Sequence, residues 1–260
     1  MNSPVLNEKV INSSLTNGYW RVSVVSECQS TQDLLLTRNS KPGDVITTEY
    51  QSAGRGRMER KFDSPPTTGL LFSFVYQPTD SHNNLVSRDT WGAYSLIAGD
   101  VVSRVLSEVV GVTYLSKWPN DIVVERNGEL KKVCGMLAQV VDDSIHFGIG
   151  INVTTQPHEL PVPTATSILI DSKKVIDRNI LLPHLLTSLK KAFDSYSGGA
   201  DFRPSYLENS FTVGKNVEIH APSGEITYGQ AVGITLDGAL ILSDNRIISV
   251  GDIIHASPSK

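Results

Sequence analysis

Gln51-Ser-Ala-Gly-Arg-Gly-Arg-Met-Glu-Arg-Lys-Phe62 and, six residues on, Gly69-Leu-Leu-Phe-Ser-Phe-Val-Tyr-Gln77 decide how this chain is read. The second stretch is rich in aromatic and apolar residues and stops at Pro78, which marks a strand. Asp44 to Gln51 alternates well enough to be another, so the glycine-rich segment reads as a loop anchored in a sheet. That loop carries Arg55, Arg57, Arg60 and Lys61 beside Gly54 and Gly56. Glycines let a backbone approach a ligand closely. Arginines present planar forks that match phosphate and carboxylate oxygens. Such a loop suits a polyanionic small molecule, with a nucleotide undergoing chemistry as the first candidate. The plainer alternative is a solvated basic turn.

Outward from that pair, the pattern becomes mixed. Ser30-Thr31-Gln32-Asp33 before Leu34-Leu35-Leu36 reads as a helix start, with Ser30 as its N-cap. Residues 90–110 carry apolar side chains at helical spacing, and Gly111 ends that helix. Strands are expected over Asp121–Glu125, Val133–Val141 and Ile145–Val153, with turns at Asn127-Gly128 and Asp142-Asp143. Residues 154–166 form a proline-bearing loop, Ile180–Tyr196 a second amphipathic helix, and Pro204–Asn209 a short one. From Thr212 short strands recur at Val217–His220, Ile226–Ile234, Ala239–Leu242 and Ile247–Ile254. The expected fold class is therefore α+β: a mixed sheet with helices over residues 1–209, then a small β-barrel domain over 210–260.

Composition narrows the function. The 260 residues include 23 Lys+Arg against 27 Asp+Glu, a net charge of -4, which argues against general nucleic-acid affinity. No apolar run approaches a membrane span, and the start of the chain is polar rather than signal-like. Cys28 and Cys134 form neither a disulfide framework nor a metal-type spacing and read as small hydrophobes that line or back the pocket. The expected location is cytoplasmic, with no membrane or DNA partner. A P-loop is absent, both Gly-x-Gly pairs lack the third glycine of a dinucleotide fingerprint, and there is no nucleophile elbow.

Two further segments carry chemistry. Lys117-Trp-Pro-Asn-Asp121 places polar groups around a Trp at the mouth of a strand. Asn120 could read a purine edge, and Asp121 could hold Mg²⁺ on phosphates. The competing reading is a capped turn with Trp118 in the core. Lys131-Lys-Val-Cys-Gly135 puts two lysines before a strand whose glycine permits close approach. Most lysine pairs are simply solvated.

Taken in order, Ser30-Thr-Gln32, Gln51-x-x-Gly-Arg-Gly-Arg57, Lys117-Trp-Pro-Asn-Asp121, Lys132-x-x-Gly135 and Gly148-Ile-Gly-Ile-Asn152 resemble the biotin protein ligases over roughly residues 23–254. The resemblance implies a core like that of class II aminoacyl-tRNA synthetases and an SH3-like C-terminal barrel. It implies that biotin and ATP form biotinyl-5′-AMP, followed by transfer to one lysine of a biotin carboxyl carrier protein. It further implies Ser30, Thr31 and Gln51 at biotin's ureido ring, Arg55, Gly56 and Arg57 in a loop closing over the ligands, and Gln32 and Gly54 also on the biotin side. Lys132 matches the lysine at the biotin carboxylate, and Gly135 also falls on the biotin side. Arg57, Arg60, Phe62, Lys117, Asn120, Asp121 and Asn152 match the nucleotide side, with Asp121 near the Mg²⁺. Arg55, Lys132 and Lys117 are the catalytic candidates.

The chain departs from that family at three places: Gln32 replaces Asn, Glu59 a smaller residue, and Phe62 a Trp. Some members carry an N-terminal DNA-binding module, and the chain before Ser30 is too short for one. The expected assembly is a monomer or weak homodimer, with Ile145–Val153 a possible pairing edge. A lipoate or octanoate ligase or transferase of the same fold is the alternative enzyme, and a biotin-sensing scaffold the non-enzymatic one.

Overall fold

A computed structural model describes residues 3–16, 18–57 and 62–255. Seven strands build the main sheet: β1 (Arg21–Cys28), β2 (Asp44–Gln51), β3 (Gly69–Tyr76), β4 (Leu115–Lys117), β5 (Asp121–Arg126), β6 (Glu129–Val141) and β7 (Ser144–Asn152). Their order is β1-β2-β3-β7-β6-β5-β4, parallel between β1 and β2 and antiparallel elsewhere. β3 is buried along its whole length, as its mostly apolar run requires, and Ser73 within it is buried as well.

Among the described residues six α-helices accompany the sheet: α1 (Glu8–Ser13), α2 (Thr31–Thr37), α3 (Ala93–Val110), α4 (Ile168–Ser172), α5 (Arg178–Ser197) and α6 (Arg203–Glu208). α3 and α5 cover one face and share the main core with it. There Phe74, Phe147 and Phe193 stack, with Phe74 and Phe147 ring centroids 4.9 Å apart. α3 stops at Gly111, whose φ of 75° is left-handed and costs glycine little. α2 packs on the other face through Leu35 against Ile46 and Val75. Being short, it leaves most of that face open for a cleft.

Five more strands form a second, antiparallel sheet: β8 (Asn216–His220), β9 (Ile226–Ile234), β10 (Leu240–Leu242), β11 (Ile247–Ile248) and β12 (Asp252–His255), in the order β11-β10-β9-β8-β12. The single strand expected over Ile247–Ile254 is two. After pairing with β10, the chain crosses to the opposite edge and pairs with β8. Gly251 makes the crossing possible, since a Cβ there would sit 2.6 Å from Ile219 Cγ2. Trp118 is core, buried among Leu96, Tyr206 and the apolar side chains of this sheet. Its indole also donates to the Gly238 carbonyl at 3.1 Å.

The expected pairing edge over Ile145–Val153 is corrected: β7 lies inside the sheet between β3 and β6. The outer strands are covered instead. Glu8 and Asn12 of α1 accept from the Val24 and Val22 amides of β1, and Asn209 and Phe211 pair with Ser116 of β4.

Candidate functional site

A cleft of about 720 Å³ opens on the face that α2 only partly covers. Ser30, Thr31, Gln32, Gln51, Arg55, Gly56 and Arg57 line one side. Phe62, Lys117, Asn120, Asp121, Lys132, Gly135 and Asn152 line the other. Gly54 is not on the wall. It closes the loop from behind, its carbonyl accepting from the Phe62 amide at 3.0 Å. A Cβ at Gly54 would lie 2.2 Å from the Phe62 carbonyl oxygen. Arg60 and Glu59 lie outside the described residues.

The inner end of the cleft is a buried polar pocket. Ser30 caps α2, its hydroxyl accepting from the Asp33 amide. The Gln51 Oε1 accepts from both the Thr31 amide (2.8 Å) and the Thr31 hydroxyl (2.9 Å). That hydroxyl also meets the Ser73 hydroxyl at 2.7 Å. Gln32 donates to the His146 carbonyl at 3.3 Å. Its Oε1 lies 3.0 Å from where a Cβ on Gly148 would be. Ser73 is the residue sequence reasoning missed here. Its place on β3, directly opposite Gly148, is set by strand register, which no local pattern reveals.

Lys132 and Gly135 pose a geometric problem, because residues three apart on a regular strand face opposite sides. A register shift solves it. Asp121 and Ile122 pair with Gly135 and Cys134, but Val123 pairs with Lys132, so Val133 is an inserted residue. The bulge resets the alternation, burying Val133 and Cys134 consecutively and turning Lys132 onto the cleft face. A Cβ on Gly135 would fall 2.9 Å from Lys132 Nζ, so the lysine chain lies directly over this glycine. Residues 164–166 lace onto the same point: the Lys132 amide donates to Thr164 O at 2.7 Å, and the Thr166 amide to Lys132 O at 2.8 Å.

Gly135 is also the register partner of Gly150 on β7. Side chains are thus missing at the middle of the floor, and the Phe62 ring occupies the room. A Cβ on Gly150 would be 2.5 Å from Phe62 Cε1.

Three of the cleft cations rest on carboxylates of the protein itself. Lys132 Nζ lies 2.6 Å from Asp121 Oδ1, and Arg55 is paired with Asp33 of α2. Arg57 lies 3.4 Å from Asp252 Oδ1 and donates to Asn120 Oδ1 and the Gly251 carbonyl, each at 3.3 Å. Asn120 in turn donates to the Met136 carbonyl at 2.6 Å. An entering anion can exchange places with these carboxylates at little cost in charge separation. The second sheet supplies Asp252, Ile253 and the hairpin around His220 and Gly224 to the rim. No motif marked them, since they reach the cleft only through the packing of one sheet on the other.

Neither cysteine lines the cleft. Cys134 backs it from within the core, and burial pushes its thiol far up, which leaves it inert. Cys28 is raised by burial too, and both are unpaired. Among the described residues no three His, Cys, Asp or Glu side chains gather to hold a metal ion. None of the helices described is long and apolar enough to cross a membrane.

Residues 24–155 match the biotin/lipoate A/B protein ligase family, and residues 212–256 match the biotin protein ligase C terminal domain. The chain is 30% identical to biotin--[acetyl-CoA-carboxylase] ligase of Mycobacterium tuberculosis, over 97% of this chain and 96% of that protein. It is 30% identical to bifunctional ligase/repressor BirA of Bacillus subtilis over 86% of this chain and 68% of that one. The structure superposes on biotin protein ligase from Aquifex aeolicus in complex with biotin and ATP with a TM-score of 0.77 and 25% identity. That match covers 91% of this chain and 99% of the other.

Proposed function

The chain belongs to the biotin/lipoate A/B protein ligase family, and we propose that it activates biotin with ATP and transfers the biotinyl group to a lysine of a biotin carboxyl carrier protein. The observation that carries this reading is the bulge that swings Lys132 over Gly135, at the junction of the buried polar pocket with the row of cations. Burying biotin's four side-chain methylenes, at about 0.8 kcal/mol each, contributes only about 3 kcal/mol. The ureido ring therefore needs the hydrogen-bonding groups of Ser30, Thr31, Gln32 and Gln51, with Ser73 behind them.

In the first step a biotin carboxylate oxygen attacks the α-phosphorus of MgATP and pyrophosphate leaves. Two anions must meet, so cations have to be in place beforehand. Lys132 takes the carboxylate as it exchanges out of its pair with Asp121. Arg55, Arg57 and Lys117 face the phosphates, while Asn120, Asn152 and Phe62 hold the nucleoside. Mg²⁺ arrives on the phosphates. Asp121, freed from Lys132 and with no cluster of further metal ligands around it among the described residues, would fit an ion that keeps most of its shell from phosphate and water, not one caged by protein. In the second step the acceptor lysine's amine attacks the mixed-anhydride carbonyl, AMP leaves and the amine loses a proton.

Residues 1–209 serve as the catalytic unit, and 210–260 as a small domain completing the cleft rim. The unpaired cysteines fit a reducing, cytoplasmic setting. The covered edges β1 and β4 fit a monomer or weak homodimer.

Mass spectrometry after incubation with biotin, MgATP and a carrier domain tests the reading. One biotinyl group on a single carrier lysine is expected, and none with lipoate or without ATP. An unmodified carrier, or modification by lipoate instead, refutes it. Arg55 is half exposed and pairs with Asp33 of α2, which suits a lid residue. Arg55→Ala should release free biotinyl-AMP about tenfold faster; unchanged retention removes Arg55 from that role. Gly150→Ala should drive Phe62 off the floor and weaken nucleotide binding about tenfold, the scale of an overpacked contact. Calorimetry reads the change, and unaltered affinity excludes Phe62 from the site.

A further inference from the structure

Behind the nucleoside side of the cleft lies a hydrogen-bond chain that no motif accounts for. Asn152 is buried at the end of β7, and its Nδ2 donates to the Thr166 carbonyl at 2.9 Å. Only the amide nitrogen can donate to a carbonyl, so this bond fixes which end of Asn152 is donor and which acceptor. Thr166 is itself held at two more points. Its amide donates to the Lys132 carbonyl at 2.8 Å, and its hydroxyl to Asp171 Oδ1 at 2.9 Å. Asp171 sits on α4 with its side chain 1% exposed. It also accepts from the Tyr114 hydroxyl at 3.1 Å and lies 3.6 Å from Arg126 Nε.

We propose that Asp171 and Thr166 are positioning residues that orient Asn152 to select a 6-amino purine nucleotide over a 6-oxo one. With one Nδ2 hydrogen committed to Thr166 and the amide's sense thereby fixed, Oδ1 is left as the acceptor, and the second Nδ2 hydrogen is free for a ring nitrogen that both kinds of purine share. An acceptor matches the exocyclic amine of adenine and opposes the carbonyl oxygen of hypoxanthine or guanine. Loss of the Thr166 hydroxyl removes its bond to the Asp171 carboxylate and loosens the carbonyl that holds Asn152. The Asn152 amide can then turn over, and the preference for a donor on the base disappears. The same segment holds the backbone of Lys132, so the element that orients the base reader also sets the cation on the acid side. This inference rests on the nucleotide reading above, and it assigns the selectivity to two residues outside every sequence motif.

The experiment compares equilibrium binding of ATP and ITP by calorimetry in the wild type, Thr166→Val and Thr166→Ser. Val keeps the shape and deletes the hydroxyl, whereas Ser keeps the hydroxyl. The wild type should prefer ATP by at least tenfold. Thr166→Val should lose about tenfold of that ratio, and Thr166→Ser should retain it. A merely structural role would lower the melting temperature or both affinities together and leave the ratio in place. An unchanged ratio in Thr166→Val, or a wild type that forms biotinyl-AMP yet binds ATP and ITP alike, overturns the inference. A wild type that binds ATP selectively, loses that selectivity in Thr166→Val, yet never activates biotin, refutes only the proposed function.

Discussion

Replacing Lys132 with Ala should slow biotinyl-AMP formation by about 10²–10³-fold, the loss expected when one preorganised donor to developing charge is removed. The magnitude follows from its placement. A bulge and two backbone hydrogen bonds to residues 164–166 place the lysine over Gly135, so its ammonium has only to exchange Asp121 for the reacting anions. Lys132→Arg should recover only part of the rate. Its planar fork replaces a compact point charge, and Arg and Lys are not exchangeable at a site shaped around one of them. Single-turnover measurement of adenylate formation separates the effect from carrier transfer. A rate within threefold of wild type in Lys132→Ala would remove this lysine from the chemistry.

Arg178→Met should destabilise the fold by about 3–5 kcal/mol, the cost of breaking a buried ion pair from one side. The Arg178 side chain is 0% exposed and pairs with Glu49 at 2.6 Å. It also donates to the carbonyls of Gly69 at 2.9 Å and Pro4 at 3.0 Å. Glu49 accepts in turn from the Leu6 amide at 2.6 Å. One guanidinium thus fastens the N-terminal segment, the end of β2 and the start of β3. Deleting it leaves Glu49 as an uncompensated, mostly buried charge and two carbonyls without donors. Urea denaturation should show the midpoint falling, and the double variant Arg178→Met/Glu49→Leu should recover much of the loss. A single variant as stable as wild type would show that the pair contributes nothing. Because Glu49 lies two residues before Gln51, the damage should extend to ligand binding.

Much of this architecture was legible wherever a local pattern sufficed. β3 announced itself by composition, α3 by its spacing and its closing glycine, and the cleft residues by five short motifs in order. Elements held by long-range partners were not legible. β4 is three residues kept extended by β5 and by the chain at 209–211, and β1 has an uneven alternation that makes sense only under α1. The bulge at Val133 was hidden as well, although the Lys132–Gly135 spacing is incompatible with a regular strand sharing one face. Ser73, Thr166, Asp171 and Asp252 escaped because their roles come from neighbours between 5 and 195 residues away in the chain.

Biotin-dependent exchange of labelled pyrophosphate into ATP tests the central claim most directly, because it reports the attack of a carboxylate on the α-phosphorus without any carrier protein. Exchange should be rapid with biotin and MgATP, absent without biotin, and reduced by at least two orders of magnitude in Lys132→Ala. Exchange that ignores biotin, or proceeds as fast without Lys132, would contradict the account.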